Sequence, residues 1–405
     1  MNATISADQR ANSRNALIAG FLGWTLDAFD FFILTYVLTA VAADFHRSIA
    51  DITLTLTASL MMRPVGAFLF GLMADRYGRR LPLMVDIVFY SVIEVLSGLA
   101  PSYRIFLILR LLYGIGMGGE WGVGASLAME SVPAKWRGVL SGILQEGYAL
   151  GNLLAALAFW TVFPHWGWRP MFFLGGLPAL LTLFIRAKVK ESDAWKAAAF
   201  KTDWGAYFRA VVANWKRFLY LVLLMAMMNF ASHGTQDLYP TFLQHQLHFN
   251  TRTIALISVI SMLGAILGGI VVGLCSDRFG RRRAMVASVL LALLLIPLWV
   301  FAPRIVGLLA TGAFLMQFMV QGAWGVIPAH INELSPGALR GFFPGFAYQL
   351  GVLLAATAPY LEALMTSHFS YAQSMGMFAA AVFAIGAIVI AAGPEAHRVS
   401  FGPDS

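Results

Sequence analysis

Long apolar runs, interrupted by short charged blocks, fill almost the whole chain. A bilayer crossing takes about 20 mainly apolar residues. Twelve stretches meet that length: 16–43, 52–74, 82–100, 104–131, 139–162, 168–187, 217–243, 253–275, 284–302, 305–332, 342–364 and 371–393. The first fifteen residues are polar, and the first apolar run is too long for a signal peptide, so it is expected to be retained. The connections are short except for 188–216, a polar and basic stretch expected to be partly helical. The pattern predicts an all-α membrane protein with a bundle over 1–187, a cytoplasmic linker over 188–216 and a second bundle over 217–405.

The plan is written twice. Gly-Leu-Met-Ala-Asp-Arg-Tyr-Gly-Arg-Arg ends at Arg80, and Gly-Leu-Cys-Ser-Asp-Arg-Phe-Gly-Arg-Arg ends at Arg282. Asp277 stands 202 positions after Asp75. A second echo pairs the block from Glu130 through Arg137 to Gly138 with the block from Glu333 through Arg340 to Gly341. A membrane plan repeated in parallel points to a transporter with its site between two bundles.

Composition removes the other classes. Apolar residues make up 59% of the chain and charged residues 12%, against about a quarter charged in a soluble protein. The single Cys275 excludes a disulfide framework and a cysteine-rich metal site. The net charge of +8 does not indicate nucleic-acid binding, because 21 of the 28 Lys and Arg fall on one side of the membrane plan. Positive charge stays inside. Both termini are therefore expected in the cytoplasm, with the chain a multi-pass protein of a bacterial inner membrane. A small organic anion, a proton and membrane lipid are the expected partners, and a monomer the expected functional unit. Proton apart, no cofactor or metal is expected. No nucleophile–base set marks an enzyme, and the short termini leave little room for a receptor's signalling domain.

An Asp beside a helix end and a cluster of Arg can form charge-assisted bonds across a bundle interface, and these can break as the bundles rock. Asp75, Arg76, Arg79 and Arg80 are expected to form a cytoplasmic latch with Asp277, Arg278, Arg281 and Arg282 as its partner. Glu130, Arg137, Glu333 and Arg340 read as further latch residues at the interface. The doubled block resembles the loop motif of the major facilitator superfamily, as does the run from Arg110 through Gly114, Gly116 and Gly118 to Gly119. That resemblance covers the whole chain. It implies twelve helices in two pseudo-symmetric six-helix bundles around a midplane cavity.

Ionisable groups at bilayer depth cost at least about 2.5–3.5 kcal/mol on insertion scales, so each asks for a reason. Arg63 lies twelve residues before Asp75, about 18 Å deep at 1.5 Å per residue. The second half has Ala265 in its place. A guanidinium suits a carboxylate, so Arg63 is the expected holder of an anionic substrate; the alternative is an ion pair with Asp27 or Glu120. Asp27 and Asp30 share a helix face at i, i+3, and with Glu120 they are candidates for loading and releasing a proton. In the seventh run Asn229, Ser232, His233 and Gln236 fall within a 100° arc, with Asp237 and Thr241 at its edge. His233 and Asp237 at i, i+4 are spaced to form a proton-exchanging pair. Gln145 and Glu146, and in the second half Tyr348 and Gln349, are expected on a shared cavity wall. Trp121 and Trp324 read as shared packing or cavity walls. Asp86, Glu94, Arg110 and His330 read as helix packing.

The seventh-run pattern Asn-x-x-Ser-His-x-x-Gln-Asp-x-x-x-Thr is similar to that of Jen-type lactate and pyruvate permeases, within the sialate:proton symporter family. The run from Gly23 to Asp30 resembles that family too. The resemblance implies symport of a short monocarboxylate with a proton, with His233 and Asp237 in coupling or affinity and Asn229 and Gln236 near the substrate. Lactate or pyruvate is the first expectation. A larger acid, sialic or aromatic, is the nearest rival.

Overall fold

The computed structural model describes residues 7–198, 204–396 and 399–401. All regular structure among them is helical. Twelve crossings are present, and eight are single helices. Spans 1–4 are Ala7–Asp44, Ile49–Tyr77, Arg80–Gly98 and Tyr103–Ser131. Spans 8–10 are Thr251–Phe279, Arg281–Val300 and Val306–Leu334, and span 12 is Tyr371–Ala392.

Four crossings that the sequence reads as continuous are broken. Span 5 is Arg137–Gln145 followed by Gly147–Thr161, and span 6 is Arg169–Leu174 followed by Pro178–Lys188. Span 7 is Trp215–Gln236 followed by Tyr239–His245, and span 11 is Phe343–Ala355 followed by Ala358–Met365. In spans 6, 7 and 11 the second piece carries a proline in its first turn. Proline lacks an N–H and clashes with the carbonyl a turn back, so it can open a helix but not continue one. Span 5 breaks at Glu146 without proline. The linker holds two short helices, Asp193–Ala198 and Trp204–Ala213.

Local chemistry fixes the helix ends. Ser48 with Asp51 and Ser370 with Gln373 form capping boxes for spans 2 and 12. Ser102 and Asn250 cap spans 4 and 8. The turns after spans 2 and 8 need Gly78 at φ 96° and Gly280 at φ 97°, a region glycine enters without a Cβ penalty. Spans 3 and 9 have no side-chain cap of their own. Glu191 accepts from the N–H groups of Arg79 and Arg80 at 3.0 and 3.1 Å, and Glu395 accepts from Arg281 at 2.9 Å. Each cap therefore arrives from the segment that follows the bundle's last span.

Spans 1–6 enclose one apolar core, and spans 7–12 a second that also takes in Trp24 and Trp121 of the first bundle and Tyr207 of the linker. A third, small cluster of Ala125, Ala128, Met129, Val132, Leu144 and Ala329 lies where the bundles meet. Leucines and aromatics such as Leu153, Trp160, Leu183 and Leu294 point outward, as a lipid-facing surface requires. Inside the first bundle Arg110 pairs with Glu94 and donates to Ser97 at 2.7 Å, the packing role expected of both ionic groups. Residues 1–6 and 402–405 lie outside the described residues. Ser13 donates to the Ser131 carbonyl and Arg137 to that of Val399, so both ends of the described chain reach the face that carries the two repeated blocks.

Candidate transport site

That face is sealed by two latches, and they do not join in the way the sequence suggests. The repeated blocks do not pair with each other. Asp75, at the end of span 2, accepts from the backbone N–H of Gly341 at 2.6 Å and of Phe342 at 3.1 Å, the start of span 11. Asp277, at the end of span 8, accepts from Gly138 at 2.8 Å and Val139 at 3.0 Å, the start of span 5. Each aspartate thus caps a helix of the opposite bundle, where exposed N–H groups favour an anion. Pseudo-symmetry makes the two contacts reciprocal.

Arginines lock both caps. Arg79 donates to Asp75 at 2.8 Å and to Glu130 at 3.0 Å, and Arg340 of the second bundle lies 3.5 Å from Glu130. On the other side Arg281 binds Asp277 at 2.7 Å and Glu333 at 3.0 Å, while Arg137 of the first bundle binds Glu333 at 2.8 Å. The linker joins the first latch: Tyr207 donates its hydroxyl to Asp75 at 2.9 Å, and Trp195 its indole N–H to the Asp75 carbonyl at 2.7 Å. Burial and the neighbouring Asp75 carboxylate push the Tyr207 phenol well above its ordinary value. Phe401 stacks between guanidiniums of both bundles, 3.8 Å from Arg137 and 3.9 Å from Arg340.

Arg76, Arg80, Arg278 and Arg282 are not latch groups in this state. Arg76 stacks on Trp204 at 4.7 Å, and Arg278 lies beside Phe279 at 5.5 Å. Arg80 donates to the Arg186 carbonyl and Arg282 to that of Gly393, each tying two ends of one bundle. Helical spacing turns these side chains away from the interface that Asp75 and Asp277 face. Next to the latches the bundles touch backbone to backbone. A Cβ on Gly122 would lie 2.5 Å from Gly345, and one on Gly142 would strike the Gly269 carbonyl.

Past this seal a cavity of about 450 Å³ lies between the bundles. Span 8 runs from the far face to the latch face and lends it only Ser258, Ser261, Met262 and Ala265, all from its far half. His233 and Asp237 on the wall are 41% and 35% exposed at the side chain, so the cavity is wet from the face opposite the latches. The span 7 stripe is the polar wall. His233 Nδ1 lies 3.0 Å from Asp237 Oδ2, the pair that the i, i+4 spacing predicts. The break after Gln236 and the proline beyond it leave this pair at a helix end beside the cavity.

Ser232 accepts from Gln321 at 3.0 Å, and Gln236 donates to Gln317 at 2.8 Å. Asn229 faces the cavity while its amide donates to the Met225 carbonyl at 2.7 Å. The facing wall is mostly aromatic: Trp24 stacks on Tyr148 at 5.4 Å, with Phe32 beside them. Trp121 donates to Gln145 at 3.3 Å and packs on Tyr348 at 4.5 Å.

Two sequence expectations need correction. Arg63 does not line the cavity: it is 5% exposed and lies behind the Tyr348 ring, 5.7 Å from its centroid. Its Nε and Nη2 have no hydrogen-bond partner, and the carboxylate oxygens of Asp27 and Glu120 have none either, so the alternative ion pair is not formed. The large Tyr348 ring, brought in from span 11, fills the space the guanidinium would need. Gln349 is 1% exposed with both amide atoms unpartnered, turned into packing by one helical step while Tyr348 takes the wall. Gln145, Glu146 and Tyr348 line the cavity as expected. Thr241 lies past the break and is not on the wall.

Asp27, Asp30 and Glu120 sit inside the first bundle rather than on the wall, fully buried and without hydrogen-bond partners. Asp86, also buried and unpartnered, and the paired Glu94 bring the described buried carboxyl groups of this bundle away from the latches to five, against the guanidiniums of Arg63 and Arg110. Asp27 and Glu120 both feel the charge of Arg63. Among the described residues no group of three His, Cys, Asp or Glu is placed to hold a metal.

The family profile described as Sugar (and other) transporter matches residues 14–203, and that of the Major Facilitator Superfamily matches 238–402. The sialic acid transporter NanX of Escherichia coli is 31% identical over 89% of both chains. This chain belongs to the major facilitator superfamily. A carboxylic acid transporter protein homolog of Saccharomyces cerevisiae is 30% identical over 88% of this chain and 62% of its own length. A solved structure of the proton:xylose symporter XylE shares the fold at a TM-score of 0.74 and 19% identity, covering 96% of this chain and 98% of the other.

This facilitator is therefore a secondary transporter with the twelve-span, two-bundle architecture, and not an enzyme. Two wall residues escaped the sequence reading. Gln317 and Gln321 stand at i, i+4 among Leu, Met, Phe and Val of span 10, the same signal that marked span 7. Glu362, fully buried in span 11, was also passed over.

Proposed function

We propose that this facilitator is a proton-coupled symporter of an organic-acid anion, working by alternating access in a bacterial inner membrane. Positive-inside bias assigns the latch face to the cytoplasm, which makes this structure the state open to the outside. One observation carries the reading. Among the described residues His233 is the only basic side chain on the cavity wall. A carboxylate arriving there needs a cation, and an imidazole is one only after taking a proton. Proton and anion binding are then a single event, and the pair crosses with little net charge.

Asp237 orients the ring through Nδ1 and leaves Nε2 toward the cavity. Asn229, Ser232 and Gln236, with Gln317 and Gln321, supply hydroxyl and amide contacts, and Gln145 supports the opposite wall. Arg63 is a reserve cation: a swing of Tyr348 would bring it to the anion and withdraw its charge from Asp27 and Glu120. In this reading those acids, with Asp30 as neighbour, form the proton store of the first bundle. Breaking the two latches then opens the cytoplasmic side. One chain encloses the whole cavity, so transport is assigned to the monomer.

The cavity volume bears on substrate size. Some 450 Å³ falls within the range of about 300–1,000 Å³ of sites for drug-sized ligands, and lactate or pyruvate would fill a small part of it. The amide-rich wall and the likeness to a sialic acid carrier favour a hydroxylated acid of about that size, with a short monocarboxylate as the second reading. The test is uptake of labelled sialic acid and of labelled lactate into proteoliposomes with a proton gradient imposed, each challenged by unlabelled acids. Gradient-driven uptake of the larger acid is expected. Uptake of either acid that ignores the gradient rejects symport; a strict preference for lactate rejects the larger substrate.

A further inference from the structure

Among the described residues the C-terminal bundle holds one carboxyl group that the latches, the helix caps and the cavity wall all leave unused. Glu362 lies in the second piece of span 11, is fully buried, and has no hydrogen-bond partner at either carboxylate oxygen. It leans on span 7 where that helix has no side chain. A methyl group on Gly234 would stand 3.6 Å from Glu362 Oε1 and 2.5 Å from the Phe378 ring of span 12. Gly234 immediately follows His233 in sequence and lies one turn before Asp237.

The surroundings leave few partners. The charge that reaches Glu362 is that of Asp237. Span 12 presents Ser374, buried with its hydroxyl unpartnered. Span 7 presents Gly234 and the charge of Asp237, which His233 pairs on its cavity side. Among the described residues no Arg or Lys of spans 7–12 pairs with Glu362. Asp277 and Glu333 serve the second latch and Glu395 caps span 9. Among the described acids of this bundle, Glu362 alone is both wholly buried and uncommitted. An intramembrane acid of this kind marks an ion pathway by default.

We infer that Glu362 is a second proton-carrying group, exchanging its proton with the His233–Asp237 pair. When a protonated Asp237 passes its proton to the Glu362 carboxylate, Asp237 is left ionised beside His233. That charge holds the imidazolium, and the imidazolium holds the substrate anion. The buried Glu362 keeps the transferred proton away from the open water of the cavity until the bundles have rocked. The inference rests on the symport reading above and adds a residue and a proton path to it.

Glu362→Gln keeps shape and removes the proton. The experiment compares two rates in the same proteoliposomes: substrate accumulation driven by a proton gradient, and exchange of labelled for unlabelled substrate at equal pH on both sides. Sialic acid is the transported probe. The expected result is that exchange stays within about twofold of the unsubstituted protein while accumulation falls at least tenfold. Accumulation equal to that of the unsubstituted protein overturns the inference, and so does a parallel loss of both rates, which is the result of a structural role. If Glu362→Gln gives no folded protein, Glu362→Asp decides. A displaced pH profile of accumulation supports the inference, and an unchanged profile overturns it. A native protein indifferent to the gradient sinks the symport reading itself, whereas a gradient-driven native protein with an unaffected variant sinks this inference alone.

Discussion

Replacing Asp75 with asparagine tests whether the reciprocal caps hold the latch side shut. Asp75 accepts from four donors: Arg79, the N–H groups of Gly341 and Phe342, and the Tyr207 hydroxyl. An amide keeps one oxygen and turns two N–H donors toward groups that are themselves donors. Bonds to a charged acceptor contribute about 1.5–3 kcal/mol each and neutral ones about 0.5–1.5. Arg79 stays held by Glu130, so losing about 1 kcal/mol in each of the other three bonds comes to about 3 kcal/mol for the closed state. At 1.4 kcal/mol per decade this shifts the balance between the two faces on the order of 100-fold. Spin labels at Tyr77 and Ala338, one on each bundle beside this latch, report the shift by pulsed dipolar spectroscopy in a Cys275→Ser background. A longer-distance population should appear in the variant. The same distance distribution before and after the substitution would refute the energetic role given to the cap.

Gly142→Leu should have the reverse effect of a clamp: its side chain strikes the Gly269 carbonyl, closure on the latch side fails, and transport stops in a protein that still folds. Label distances shifted wholly to the long form check this. His233→Ala removes the only basic side chain on the cavity wall among the described residues, so binding of the acid, followed by calorimetry, should weaken at least tenfold and lose its dependence on pH. Arg110→Met leaves Glu94 buried and unpaired, a change that costs about 3–5 kcal/mol. Melting temperature in detergent should fall, and the double variant with Glu94→Leu should recover most of it; a drop that the second substitution does not reverse argues against the pair.

The sequence by itself determined the class, the twelve crossings, the twofold plan and the one face of the bundles at which Lys and Arg gather. These properties are local: a run of 20 apolar residues partitions into lipid whatever the rest of the chain does, and Lys and Arg act on orientation loop by loop. The His233–Asp237 pair was legible for the same reason, since i, i+4 neighbours on a helix meet without help from elsewhere. Gln317 and Gln321 carried the same helical signal and were overlooked rather than hidden. Tertiary structure decided what no spacing encodes. Asp75 finds Gly341 and Asp277 finds Gly138 because two bundles close on each other. Arg63 stands within span 2 as counted, yet the ring of Tyr348, brought in from span 11, covers it. Depth along one helix follows from counting residues; the direction a side chain can take depends on which distant helix arrives to occupy the space in front of it.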